Sequence, residues 1–142
     1  MKKKYKFKSK IEKSYKDKRG YINILTHKNF SSCMEVFSKK KSIRANHYHK
    51  KDTHYIYVLS GKILFFYRNR KKNAKLNYGI MKKGDLFYTK NNQDHMAYFL
   101  MDTHFIAYSS KKRTRFNYEK DLIRINMHKE KKVKELIKKY SK

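Results

Sequence analysis

HYIYVLSGKILFFYR, residues 54–68, holds two runs of aromatic and β-branched side chains separated by Ser60-Gly61. Such runs read as strands, and the Ser-Gly step predicts a tight hairpin turn between them. Working outward, similar runs occur as YINILT (21–26), CMEVFS (33–38), DLFYT (85–89), HMAYFLM (95–101) and HFIAYS (104–109), separated by polar, lysine-rich breaks. Lys83-Gly84-Asp85 marks a second turn, leading into the strand 85–89. Short strands recurring at this spacing predict an all-β, antiparallel sandwich or barrel rather than a βαβ layout.

The two ends have a different pattern. Residues 1–19 carry nine lysines and one arginine, with Tyr5, Phe7, Ile11 and Tyr15 as apolar anchors, and are expected to form a basic N-terminal arm. Residues 20–126 form the barrel. In 127–142, Val133, Leu136, Ile137 and Tyr140 recur at helical spacing among Lys and Glu, which predicts a short C-terminal amphipathic helix packed on the barrel or on a partner subunit.

The chain has 142 residues, enough for one domain. Its 39 Lys+Arg against 11 Asp+Glu give a formal charge of +28, while 39% hydrophobic and 15% aromatic content exclude wholesale disorder. Proline and tryptophan are absent and glycine occurs only 4 times. Part of the positive charge therefore reflects compositional bias rather than an electrostatic footprint. One cysteine, Cys33, excludes an intramolecular disulfide and a cysteine-based zinc cage. It fits a reducing compartment, and with no apolar run of about 20 residues the expectation is a cytoplasmic protein without a membrane span.

Of seven histidines, His47, His49 and His54 fall within eight residues. Side chains two apart on a strand share a face about 7 Å apart, so His47 and His49 can serve one ion, and His54 opens the next strand within reach of it. His95 begins another strand after the turn Lys90 to Asp94 and is the fourth candidate. Four imidazoles suit a divalent metal ion, with zinc, iron, manganese, nickel and copper all open. Asp52 is a weaker candidate than His54, and His27, His104 and His128 are assigned no ligand role.

With these residues in place the chain resembles the cupin superfamily. The first cupin motif, G-x5-H-x-H-x4-E-x6-G, falls on Lys41, His47, His49, His54 and Gly61 with its spacing kept. The second, G-x5-P-x-G-x2-H-x3-N, falls on Gly84, Lys90, Asn92, His95 and Phe99. The resemblance implies an antiparallel jelly-roll barrel and a homodimer. It also implies a metal site in which His54 replaces the family's glutamate, leaving the full charge of a divalent ion uncompensated. Asp17 to Ile22, Arg44 to His49 and Tyr118 to Asp121 are similar to small cupins of nucleotide-sugar and surface-polysaccharide synthesis, which include isomerases and epimerases.

The leading expectation is a metal-binding cupin that acts on a small polar ligand, sugar-derived or a carboxylate, by isomerase or epimerase chemistry. One alternative is an iron-dependent dioxygenase, since open positions on histidine-ligated iron suit dioxygen. Another is a non-catalytic module that binds sugar or a polyanion around a structural metal. Nucleic acid is not favoured as a partner, because no nucleic-acid motif accompanies the charge. Arg44 is the candidate anion clamp, its planar fork suiting phosphate or carboxylate, although regular alternation puts it on the face opposite His47. The same parity gives Ile43, Ala45, Ile56, Val58, Ala97 and Phe99 as pocket lining. Tyr57, Tyr67, Tyr88, Tyr98 and Tyr108 are read as packing.

Overall fold

The structure is a computed structural model that describes residues 8–142. Its strands are β1 (Glu12–Asp17), β2 (Gly20–Ile24), β3 (Ser32–Ser38), β4 (Ile43–His49), β5 (His54–Ser60), β6 (Lys62–Asn69), β7 (Asn77–Lys82), β8 (Leu86–Thr89), β9 (Gln93–Phe99), β10 (Thr103–Ser109) and β11 (Leu122–Arg124). Helix α1 (Arg115–Asp121) precedes β11, and a 3-10 turn at Met127–Lys129 leads into α2 (Lys131–Tyr140). Two antiparallel sheets, ordered β3-β10-β5-β8 and β11-β4-β9-β6-β7, carry the fold, with β1-β2 as a separate ribbon.

The run ILFF in β6 shows how two layers of core arise from one strand. Ile63 and Phe65 point between the sheets, where Val58, Phe87, Phe99 and Phe105 complete a buried cluster. Leu64 and Phe66 point the other way and are covered by Met127, Val133 and Leu136 of the C-terminal segment. A strand buried on both faces reads as a continuous apolar run, which is the pattern here. The expected C-terminal helix thus packs on the outer face of the five-stranded sheet. Arg68 of β6 fixes its start by bonding both carboxylate oxygens of Glu130, at 2.8 and 3.1 Å.

Several local expectations change. Ser60-Gly61 is a corner and not a hairpin, because β5 and β6 belong to different sheets. Gly61 has φ +96°, and a Cβ there would lie within 2.6 Å of Asp102 O and of Thr103 Oγ1 and Cα, so only glycine fits. Residues 12–17 of the expected arm form β1, and Lys8 reaches Asp85 in an ion pair of 2.9 Å. Tyr5 and Phe7 lie outside the described residues. Helix α1 was not anticipated; Thr114 caps it, accepting a hydrogen bond from Asn117 N, and it buries no residue. Among the described residues no helix is long and apolar enough to cross a membrane.

Candidate active site

β4 reaches the site through a bulge. Ala45 and Asn46 both have φ +62°, and the pairing of β4 with β9 shifts register between Ala45 and His47. An extra residue reverses the facing of everything before it. Arg44 therefore pairs with Ala97 while His47 pairs with His95, and Ala97 faces the core between the sheets. This corrects the expectation that Arg44 lies on the far side: it borders the central cavity. Its guanidinium is held by Ser38 Oγ and Phe37 O. The bulge itself is held from the C-terminal segment: Asn46 Oδ1 accepts from Met127 N, Nδ2 meets His128 Nδ1, and Asn46 O accepts from Ile125 N.

The four histidines gather on the inner side. Ring centroids of His47 lie 4.7 Å from His49 and 4.8 Å from His95, and His49 lies 4.7 Å from His54. The ligand atoms of His47, His49 and His95 fall within 4.8 Å of one another. His54 joins this group through His49 but has its own partner, with Nε2 2.8 Å from Asp52 Oδ2. Asp52 is also bonded by Ser109, Ser110 and Lys111 N, and its carboxylate forms with His49 and His54 a second group whose ligand atoms fall within 4.8 Å of one another. Burial by itself would raise the Asp52 carboxyl, yet hydrogen bonds from His54, Ser109 and Ser110 hold it well below the usual carboxylate range.

The other rings are set in the same way. His49 Nδ1 lies 3.0 Å from Asp121 Oδ2, and His95 Nδ1 lies 3.0 Å from Gln93 O. Each therefore donates through Nδ1 and presents a bare Nε2 lone pair. Among the described residues, His49 Nε2 is buried with no hydrogen-bond partner. Burial lowers the pKa of His47 to about 2 and of His95 to about 3, with neighbouring imidazoles adding to the effect. Burial also lowers His49, opposed by the bond to Asp121.

The cavity has a volume of about 350 Å³. Ile56, Ala97 and Phe99 border it as expected, Ile43 and Ala45 border it as well although the bulge turns their segment over, and Val58 lies in the core beneath. Sequence reasoning assigned no role to Arg113, Tyr118 and Arg124, which also border it, or to Asp121 behind His49. The Arg113 guanidinium lies 3.6 Å from the Tyr118 ring centroid. Tyr118 and Asp121 do stand in the stretch that resembles the family, but spacing alone could not pair Asp121 with a histidine 72 positions away.

Two sheets enclosing a histidine cluster, with both motif frames converging on it, can be set against known proteins. The sequence profile of the cupin family matches residues 7–121. The chain belongs to the cupin family. No curated protein matches the sequence. Among solved structures, this cupin is similar to dTDP-4-dehydrorhamnose 3,5-epimerase from Sulfolobus tokodaii, at 18% identity and a TM-score of 0.65 over 85% of this chain and 76% of that one. The QdtA 3,4-ketoisomerase from Thermoanaerobacterium thermosaccharolyticum, in complex with TDP, shows 17% identity and a TM-score of 0.61 over 96% and 95%. WlaRA, a TDP-fucose-3,4-ketoisomerase from Campylobacter jejuni, shows 16% identity and 0.65 over 80% and 87%. At these identities the likeness is one of fold.

Proposed function

We propose that this cupin is an isomerase or epimerase of a keto sugar carried on a nucleoside diphosphate. The observation that carries the reading is His54 on the cavity wall, backed by the buried Asp52 carboxylate. A carboxylate behind an imidazole orients the ring and stabilises the imidazolium formed when it takes a proton. With Nε2–H donated to Asp52, Nδ1 is the nitrogen left to accept one. The epimerase and ketoisomerase folds among the structural neighbours support the same substrate class.

The reaction requires proton movement only. A base removes the proton from the carbon beside the ketone, the C–H electron pair becomes a carbon–carbon double bond, and the carbonyl oxygen takes the charge. Returning a proton to that carbon from the opposite side inverts it. Returning one to the former carbonyl carbon, with loss of the neighbouring hydroxyl proton, moves the ketone by one position. His54 takes the first proton, and the Tyr118 phenol at the cavity wall is the group to return one. Arg44, Arg113 and Arg124 border the cavity, and planar guanidiniums suit a diphosphate. A cavity near the lower end of the usual range of about 300–1,000 Å³ takes the sugar and leaves the nucleotide at the mouth.

The test is incubation with TDP-4-keto-6-deoxyglucose in D2O, followed by NMR. Deuterium uptake beside the ketone is expected, with a loss of about 10²–10⁴-fold in His54→Asn while TDP binding is kept. Absence of both exchange and TDP binding in the native protein would overturn the reading.

A second reading rests on the bare His49 nitrogen. Nε2 of His49 and of His95 are lone-pair acceptors, and with His47 they form a donor set that fits a divalent first-row ion. When bound there, such an ion supplies Lewis-acid polarisation of a carbonyl. Metal analysis of untagged protein decides it: one ion per chain, lost in His95→Ala, is expected, and metal-free preparations would leave the acid–base reading alone.

A further inference from the structure

On the outer face of the five-stranded sheet one guanidinium is held in place without being fully used. Arg68 pairs with Asp94, and Phe66 with Met96, across β6 and β9. Phe66 and Met96 lie under the C-terminal segment, so alternation puts Arg68 and Asp94 on that same face, with His95 on the cavity side. Tyr48, between His47 and His49 in β4, faces outward by the same rule. Arg70 follows β6 and closes on both neighbouring strands: Nη1 donates to Asp94 Oδ1 at 2.7 Å, and the guanidinium carbon lies 4.0 Å from the Tyr48 ring centroid. Asp94 is buried, and its other oxygen lies 3.4 Å from Arg68, which bonds Glu130. Both carboxylates are thereby engaged. Arg70 Nε and Nη2 make no hydrogen bond among the described residues.

Three loops meet around that side chain. Arg70 N donates to Asn92 O, Asn92 N to His49 O and Asn91 Nδ2 to Lys50 O, which ties the connections after β6, before β9 and after β4 to one another. Arg68, Asn69, Arg70, Lys71 and Asp94 line a hollow of about 360 Å³ there. Its three cations outnumber the carboxylates of Asp94 and Glu130, and Lys72 follows in the chain. Asn69 Oδ1 accepts from Gln93 Nε2 at 3.0 Å, which leaves the Asn69 amide hydrogens as further donors. This chain has many exposed lysines, but each has to give up rotamer freedom to hold an anion, whereas Arg70 is already fixed by an ion pair and an aromatic face.

We propose that this hollow is a binding site for a phosphate group, separate from the cavity. The remaining edge of the Arg70 guanidinium offers Nε–H and Nη2–H side by side, the arrangement that matches two oxygens of one oxyanion, and Lys71 stands next to it as a point charge. Phosphate fits better than carboxylate because its greater charge and additional oxygens let it engage the fork and Lys71 together. A metal cation is excluded by the surplus of positive side chains. The site stands on the reverse of the strands that carry His47, His49 and His95, and it does not depend on the acid–base reading of the cavity.

Arginine Nε–H resonances in proton–nitrogen NMR spectra of the full chain read each guanidinium separately. Titrated with inorganic pyrophosphate at low ionic strength, where screening is weak, the Arg70 resonance is expected to shift saturably, whatever Arg44, Arg113 and Arg124 of the cavity do. Acetate at the same concentration is expected to move it much less. Followed at the backbone amide of Asn69, pyrophosphate affinity is expected to fall about 10-fold or more in Arg70→Gln, the loss of a charged hydrogen bond, and about 3-fold in Lys71→Gln. Lys138→Gln, which removes the same charge from α2, should leave it unchanged. Circular dichroism establishes that each variant is folded; Lys71→Gln keeps the Arg70–Asp94 pair and decides if Arg70→Gln is not. An Arg70 resonance that pyrophosphate leaves in place overturns the proposal. So does an equal response to acetate, an affinity unaltered in the folded variants of Arg70 and Lys71, or an equal loss in Lys138→Gln.

Discussion

β4 and β9 lie side by side and set His47 opposite His95, yet they do so by different means. β9 is regular: His95, Ala97 and Phe99 face the space between the sheets, and Met96 faces the C-terminal segment. β4 carries two consecutive left-handed residues, so the facing of Ile43, Arg44 and Ala45 is reversed relative to His47 and His49. A regular strand can place an imidazole ring on one face only with its alternate neighbours. The bulged strand puts a guanidinium and an imidazole on one cavity wall although they are three residues apart. Its cost is local: a left-handed residue other than glycine is disfavoured by roughly 1–2 kcal/mol. The hydrogen bonds from residues 125–128 to Asn46 offset it.

The largest effect should come from forcing β4 to behave like β9. Asn46→Val removes both side-chain bonds and places a β-branched residue at φ +62°, where it is strongly disfavoured. Two lost bonds at about 1 kcal/mol each plus the backbone strain give an expected destabilisation of about 3–4 kcal/mol. Asn46→Gly keeps the backbone and loses only the bonds, for about 2 kcal/mol. Urea unfolding of the pair separates conformation from clamp, and equal losses in both would mean that the bulge is not strained.

Acid should act on both strands, through His47 and His49 of β4 and His95 of β9. Above pH 6.5 neither His47 nor His95 holds a proton in the folded or the unfolded chain, so stability does not vary with pH on their account. Below it the unfolded chain takes up protons that the folded rings, at about 2 and about 3, refuse. Stability is therefore lost as pH falls, by about 1.4 kcal/mol per pH unit per ring, over the window down to those folded values. Urea midpoints of chelator-treated protein at pH 6 and pH 5 should differ accordingly, and His95→Gln should remove its share of the slope, leaving that of His47 and His49. A flat profile would mean that the rings are not held neutral by burial.

The same contrast explains what was legible in the sequence. Runs such as ILFF and HFIAYS disclosed the strands because burial and β-propensity act through near neighbours, and both histidine motifs lay within single turns and strands. Helix α2 was visible because Val133 and Leu136 are buried at helical spacing. α1 buries no side chain and so left no periodic trace. β1 was hidden because a two-stranded ribbon with exposed Tyr15 and Tyr21 needs no apolar alternation. The facing of Arg44 failed for a different reason: bulges usually announce themselves by glycine, and here Ala45 and Asn46 fill the positions. What holds them is contact with residues 125–128, some 80 positions on, which no local pattern contains.

One substitution made on both strands should change sign between them. Ala45 sits at φ +62°, where its Cβ is the source of strain. Glycine removes that strain and gives up about 0.5–1 kcal/mol of chain entropy, so Ala45→Gly should be neutral or stabilising by up to about 1 kcal/mol. Ala97, directly across from Arg44 in β9, is buried within the core and belongs to a regular strand. There glycine relieves nothing, loses the methyl contact and pays the same entropy, so Ala97→Gly should destabilise by about 1–2 kcal/mol. Thermal melts of the two variants measure the difference directly. If Ala45→Gly costs as much as Ala97→Gly, then β4 has no left-handed step at Ala45, and Arg44 returns to the outer face that simple alternation assigns it.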